Sequence, residues 1–110
     1  MDIELRTDTV GSIPVVAVGG IVDMASVPQL RNTLTRALRQ FPGRRVAVDL
    51  DGVHVLDDAG LGVLLGVAAA ARDAGGEVSF VVTNARVREQ LTRTRVDRVI
   101  DVAATVSELA

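Results

Sequence analysis

Two adjacent aspartates, Asp57 and Asp58, follow the chain's single histidine, His54, and are the first residues whose types and spacing could do chemistry. A carboxylate near an imidazole can move a proton. Catalysis would also need a nucleophile, and none is at hand: the chain has no cysteine and no lysine, and no Ser, Thr or Tyr lies between Thr35 and Ser79. All 12 basic residues are arginine. That removes thiolate and Schiff-base chemistry, the lysine of a phosphate-binding loop, and the lysine of a phospho-accepting receiver domain. The expectation is a protein that is not an enzyme and carries no cofactor. Asp23 could join Asp57 and Asp58 around a cation, but a run of acids without defined ligand geometry does not make a metal site, and no metal is expected. His54 alternates with Val53 and Val55, which puts it on the solvent side of a strand edge. Asp57 and Asp58 stand where a helix N-terminus takes a side-chain acceptor and a negative charge.

The helix they open is unusual. Nothing from Ala59 to Ala71 is charged, a stretch too short to cross a bilayer and expected to be buried all round inside a domain. Gly60, Gly62 and Gly66 interrupt it, each at a cost of up to about 1 kcal/mol relative to alanine. Gly62 and Gly66 share a face with Ala69 and Ala70, small enough for a sheet or a partner to approach the backbone. Four aspartates and no arginine lie between Asp49 and Asp58, whereas five arginines lie between Arg86 and Arg98. These are either ordinary solvated faces or a bipolar surface that orients a protein partner.

The elements that must position this turn alternate. Ile3 and Leu5 alternate with polar neighbours as in an edge strand; Gly11-Ser12 turns the chain into a second strand, Ile13 to Val18, which Gly19 and Gly20 are expected to end. A helix from about Ser26 to Gln40 opens with a Ser26/Gln29 capping box and carries Leu30, Leu34, Ala37, Leu38 and Phe41 as one stripe. A doubly buried strand, Val46 to Leu50, leads to the central turn and helix, closed by Gly75-Gly76. Then come a strand from Glu77 to Thr83, a helix capped by Asn84 with Val87 and Leu91 inward, a short strand at Val99-Ile100, and a last helical turn opened by a Thr105/Glu108 box. Crossovers of this length imply parallel neighbours, with only the first strand antiparallel. The fold class is α/β: a mixed sheet of about five strands with flanking helices, one domain over residues 1–110. Sites in such sheets form beyond the carboxyl ends of strands, where Asp57 and Asp58 lie.

Composition agrees. The 110 residues suffice for one core, and with 48% hydrophobic residues but only Phe41 and Phe80 aromatic, that core is aliphatic. A net charge of −2 gives no electrostatic reason to bind nucleic acid. Asp2 and Glu4 stand where a signal peptide would be basic, so the expected location is cytoplasmic, without membrane insertion. The oligomeric state is left open.

The run V-L-D-D-A-G-L-G-V-L-L-G, Val55 to Gly66, resembles the signature of the STAS domain, specifically of the bacterial anti-sigma factor antagonists, whose motif reads approximately aliphatic-D-S-S-G-L-G-x-L-L. The resemblance extends along the chain: G-G-I-V-D at Gly19 to Asp23, R-R-V-A-V-D-L at Arg44 to Leu50, and G-G-E-V at Gly75 to Val78 resemble the segments around the family's second, third and fourth strands. It implies a sheet flanked by helices and a partner switch: binding of an anti-sigma factor, often a serine kinase, which frees a sigma factor. The small-residue face and the acidic run beside it place the partner over Asp57, Asp58, Ala59, Gly60, Leu61 and Gly62, with Asp23 alongside, as its position in the resemblance implies. One departure matters. Where the family carries the phosphorylated serine or threonine, this chain has Ala59, and Asp58 takes the place of the serine before it. The usual phosphoserine switch is expected to be missing. Asp58 as a built-in phosphate mimic fits poorly, with one charge instead of nearly two and a position one residue early, about 100° around the helix. A second reading of the resemblance is a non-enzymatic STAS subunit of a membrane-transport or other signalling assembly.

Overall fold

Residues 2–109 are described by the computed structural model. The chain opens with a hairpin of β1 (Ile3–Val10) and β2 (Ile13–Val22). Its two-residue turn begins at Gly11, whose φ of 60° is one that a side chain resists. There follow α1 (Val27–Gln40), β3 (Arg45–Leu56), α2 (Asp58–Asp73), β4 (Glu77–Val81), α3 (Ala85–Arg93) and β5 (Val102–Ala103). The five strands lie in sequence order, β1 antiparallel to β2 and the others parallel, as the alternation predicts.

The core sits on one face of the sheet. Val16, Val18, Val46, Val48, Leu50, Val78 and Phe80 meet Leu30, Leu34 and Ala37 of α1, Leu64 and Val67 of α2, and Val87 and Leu91 of α3. On the other face a smaller cluster of Ile13, Val15, Ala47 and Val81 is covered by Val106 and Leu109. Hence the middle strands are apolar on both sides. The central helix stops in a Schellman arrangement: the Gly76 amide donates to Ala71 O at 2.8 Å and the Gly75 amide to Arg72 O at 3.0 Å, with Gly75 at φ 84°.

Several expectations need correction. Gly19 and Gly20 do not end the second strand; β2 runs through them to Val22, with register shifts against β3 beside both. The glycines serve close approach: a Cβ on Gly52 would lie 3.2 Å from Gly19 Cα. The third strand is longer than Val46 to Leu50, because Val53–Leu56 stays paired with β2 after β4 has ended opposite Asp49. Ser26 and Gln29 form no capping box. Asp23 and Ser26 form one instead, each side chain accepting from the other's backbone amide, at 3.1 and 2.9 Å. The last strand is at Val102–Ala103, not Val99-Ile100; Ile100 is buried, whereas Val99 is exposed. Glu108 accepts from the Ala104 amide at 3.1 Å and so misses the predicted partner, Thr105, by one residue.

Candidate functional site

The turns that end β2 and β3 lie side by side. The Asp57 amide donates to Val22 O at 3.0 Å, which ties the start of α2 to the residue before Asp23. Asp57 is extended (φ −88°, ψ 175°), and its Oδ1 accepts from the Gly60 amide at 3.0 Å, the N-cap bond that its position predicts. Asp23 caps the adjoining 3-10 turn, Met24–Ser26. Both aspartates are half-buried and held by backbone donors, whereas Asp58, the first residue of α2, is exposed.

Gly60 and Leu61 point inward. A Cβ on Gly60 would lie 2.3 Å from Val22 Cγ1, so only glycine lets the helix start this close to β2. Gly62 and Gly66 behave differently, with nothing within 4 Å of a Cβ built on either. The expectation that α2 is buried all round is therefore corrected: Leu61, Val63, Leu64, Val67, Ala68 and Ala71 face the core, while Gly62, Gly66, Ala69 and Ala70 are exposed. Those small residues do not touch the sheet. Gly62, Gly66 and Ala70 form one wall of a shallow groove of about 500 Å³ between α2 and α1, with Arg31 and Thr35 on the α1 side, Ala59 at its head and Met24, 76% exposed, at its rim.

α3 supports the turn from the opposite side. Beyond the end of β4, the carbonyls of β3 would face solvent, but Asn84 Nδ2 donates to Val53 O at 3.4 Å and Gln90 Nε2 to Leu56 O at 2.6 Å. Asn84 also caps α3 through the Arg86 and Val87 amides, as its position predicts. The Asp51 carboxylate accepts from the Thr83 and Asn84 amides at 2.6 and 2.9 Å and from the Thr83 hydroxyl at 3.1 Å. Desolvation pushes its pKa up. The bonds from Thr83 and Asn84 and the charge of Arg88 outweigh that and leave it below 3.8. Sequence reading grouped Asp51 with an acidic surface and did not single out Gln90.

His54 is exposed, as its strand position predicts, but Val55 is exposed too, so the alternation fails there. Among the described residues no group of three His, Cys, Asp or Glu gathers as metal ligands, and no helix is long and apolar enough to cross a membrane. The arrangement presents backbone, small apolar side chains and the exposed carboxylate of Asp58.

The family profile of the STAS domain matches residues 4–109. The chain belongs to the STAS domain family. This STAS domain is 31% identical over 87 residues to an anti-sigma-B factor antagonist of Staphylococcus aureus, a match covering 79% of this chain and 80% of that protein. Among solved structures it superimposes on an anti-sigma factor antagonist from Mycobacterium paratuberculosis with a TM-score of 0.85 and 21% identity, covering 97% and 90% of the two chains. It also superimposes on the phosphorylated form of the Bacillus cell fate determinant SpoIIAA, with a TM-score of 0.70 and 18% identity, covering 96% of each chain. These two likenesses establish the shared fold of this STAS domain, a five-stranded mixed sheet with three helices.

Proposed function

We propose that this STAS domain is an anti-sigma factor antagonist: it binds an anti-sigma factor over the Asp57 turn and thereby releases a sigma factor. The observation that carries the reading is the exposed small-residue face of α2 beside two capping aspartates, Asp23 and Asp57. Gly62 and Gly66 add no contact within the fold that a methyl group would disturb, yet each weakens its helix by up to about 1 kcal/mol relative to alanine. A partner approaching the backbone closely gives that cost a function. The fixed carboxylates and exposed Asp58 supply charge at the same place. The relative in Staphylococcus aureus carries the name of such an antagonist.

Ala59 takes the phospho-acceptor's position in this reading, and the partner, of the serine-kinase type or not, meets a surface without the usual hydroxyl. The direct test is affinity for the cognate anti-sigma factor by calorimetry. Gly62→Arg and Asp58→Arg, both on exposed positions, should each weaken binding about tenfold or more, the scale of losing one central contact. Glu89→Arg on α3 serves as a control with unchanged affinity. If all three variants bound like wild type, the assigned surface would be wrong.

A further inference from the structure

β1 is an edge strand. Among the described residues it pairs with β2 alone, along its whole length. The hairpin fixes which groups face outward. Val10 and Ile13 flank the two-residue turn as a hydrogen-bonded pair, so the even residues of β1 turn their N–H and C=O toward β2. Ile3, Leu5, Thr7 and Thr9 turn theirs away from the sheet. Two bonds agree with this phase: the Asp2 carbonyl accepts from the Ile21 amide, and the outward Thr9 amide, with no strand to meet, donates to its neighbour's Asp8 Oδ1 at 2.8 Å.

We propose that this edge pairs with the same edge of a second copy of the chain, antiparallel, about a two-fold axis through Leu5. The five residues Ile3-Glu4-Leu5-Arg6-Thr7 are complementary to themselves. With Leu5 opposite Leu5, Glu4 of each copy lies opposite Arg6 of the other, twice over. These are the non-hydrogen-bonded positions, where facing side chains come closest. Ile3, Leu5 and Thr7 supply the main-chain bonds. Leu5 and Ile3 already pack against the helix-side core, so the two cores would meet across the axis.

Neighbouring registers fit worse. Centring on Arg6 opposes Arg6 to Arg6 and Glu4 to Asp8, all like charges. Centring on Thr7 needs the Thr9 amide that Asp8 already holds. Asp8 thus ends the pairing on the hairpin side. Charges on an edge strand ordinarily keep copies apart. Here opposite signs stand two residues apart, and the Leu5-centred register sets each of them against its opposite. Five residues per copy bury less than the roughly 1,200 Å² of a standard interface, so the dimer is weak and reversible, and it uses none of the residues assigned to the anti-sigma factor.

The test is sedimentation of the full chain over a ladder of concentrations reaching the millimolar range. Wild type should move from monomer to dimer as concentration rises. Arg6→Glu sets two pairs of like charges face to face and should raise the dissociation constant about tenfold or more. Glu4→Arg combined with Arg6→Glu should restore it. Thr7→Pro removes one outward amide, leaves the ladder to β2 intact, and should also weaken the dimer; far-UV circular dichroism and a urea midpoint verify that each variant is folded. A chain that stays monomeric throughout would overturn the proposal. So would a dimer indifferent to Arg6→Glu and Thr7→Pro, since it would use another surface.

Discussion

The amide of Asp57 donates to the carbonyl oxygen of Val22 at 3.0 Å, and through this one bond the ends of two neighbouring strands become a single surface. Asp23 and Asp57 are far apart in sequence but flank the bond, each capping the element that begins beside it. Because the bond is between main-chain groups, it survives any side-chain change at either position except proline at 57. The Asp57 side chain is left with two separable tasks, capping α2 and offering charge to a partner.

Those tasks can be divided by substitution. Asp57→Ala removes the acceptor at Gly60 N–H and should cost about 1 kcal/mol of stability. Asn caps as well as Asp, so Asp57→Asn should cost less than about 0.5 kcal/mol. Urea midpoints measure both. Should a partner read the charge, Asp57→Asn would weaken binding while stability stays nearly intact; equal affinity for wild type and Asp57→Asn would leave Asp57 as a cap only.

The glycines of α2 divide in the same way. Gly60→Ala drives a methyl into buried Val22, with its carbonyl 3.2 Å away, and should destabilise the fold by about 1–3 kcal/mol. Gly62→Ala and Gly66→Ala meet open space and should each stabilise it by about 0.4–1 kcal/mol. Thermal midpoints should therefore move in opposite directions. If close approach at α2 is what the partner uses, the two stabilising variants are also the ones that lose affinity.

Asp51 gives the fold a pH dependence. Its carboxyl is held below its ordinary value of 3.8 in the folded chain, so the folded state favours the ionised form. The resulting stabilisation is fully present above that ordinary value and is lost as pH falls through the lower, folded one. The side chain is exposed, and solvent screening keeps the contribution small. Asp51→Asn removes the charge and should flatten the acid limb of the urea midpoint, comparing pH 6 with pH 3. An unchanged slope in the variant would assign the acid sensitivity to other carboxylates.

Much of this was legible before the structure, and the misses share a cause. Asp57 and Asn84 as caps, the Gly75-Gly76 stop, the α1 stripe and the mixed sheet follow from local rules, because each bond involved spans a few residues. Gly19 and Gly20 misled because a glycine pair is a turn signal locally, whereas here Gly19 lets β2 pass close to Gly52, far along the chain, and Gly20 lies against the backbone of Asp2. The exposed face of α2 was hidden for the opposite reason. A helix without charge gives no periodicity to distinguish its two sides, and only its neighbours decide which one is covered. Asp51 and Gln90 act across more than thirty residues on carbonyls and amides that no side-chain pattern encodes.

The proposed loss of a phosphorylation switch rests on Ala59. It stands at the second position of α2, half-buried at the head of the groove, next to an exposed Met24 and the open side of Gly62. A phosphoryl group here would place nearly two negative charges on a turn already carrying Asp57 and Asp58, at the head of a groove whose only charged lining residue is Arg31, and desolvating it against a partner would be costly. The methyl of Ala59 has no oxygen to accept that group, and between Thr35 and Ser79 the sequence offers no other hydroxyl. The complex with the anti-sigma factor is therefore expected to survive incubation with Mg-ATP and an active cognate kinase. Ala59→Ser restores the acceptor and should make the complex labile where the kinase recognises the turn. Ala59→Glu places a fixed charge in the groove and should weaken binding about tenfold or more without any kinase. Asp58 cannot act in that way in the wild type, since it points to solvent one residue earlier. Intact-mass measurement of the wild-type chain after incubation with kinase and ATP decides the matter: unchanged mass with a persistent complex is the expected result, and a stoichiometric phosphate adduct on the turn would refute a lost switch.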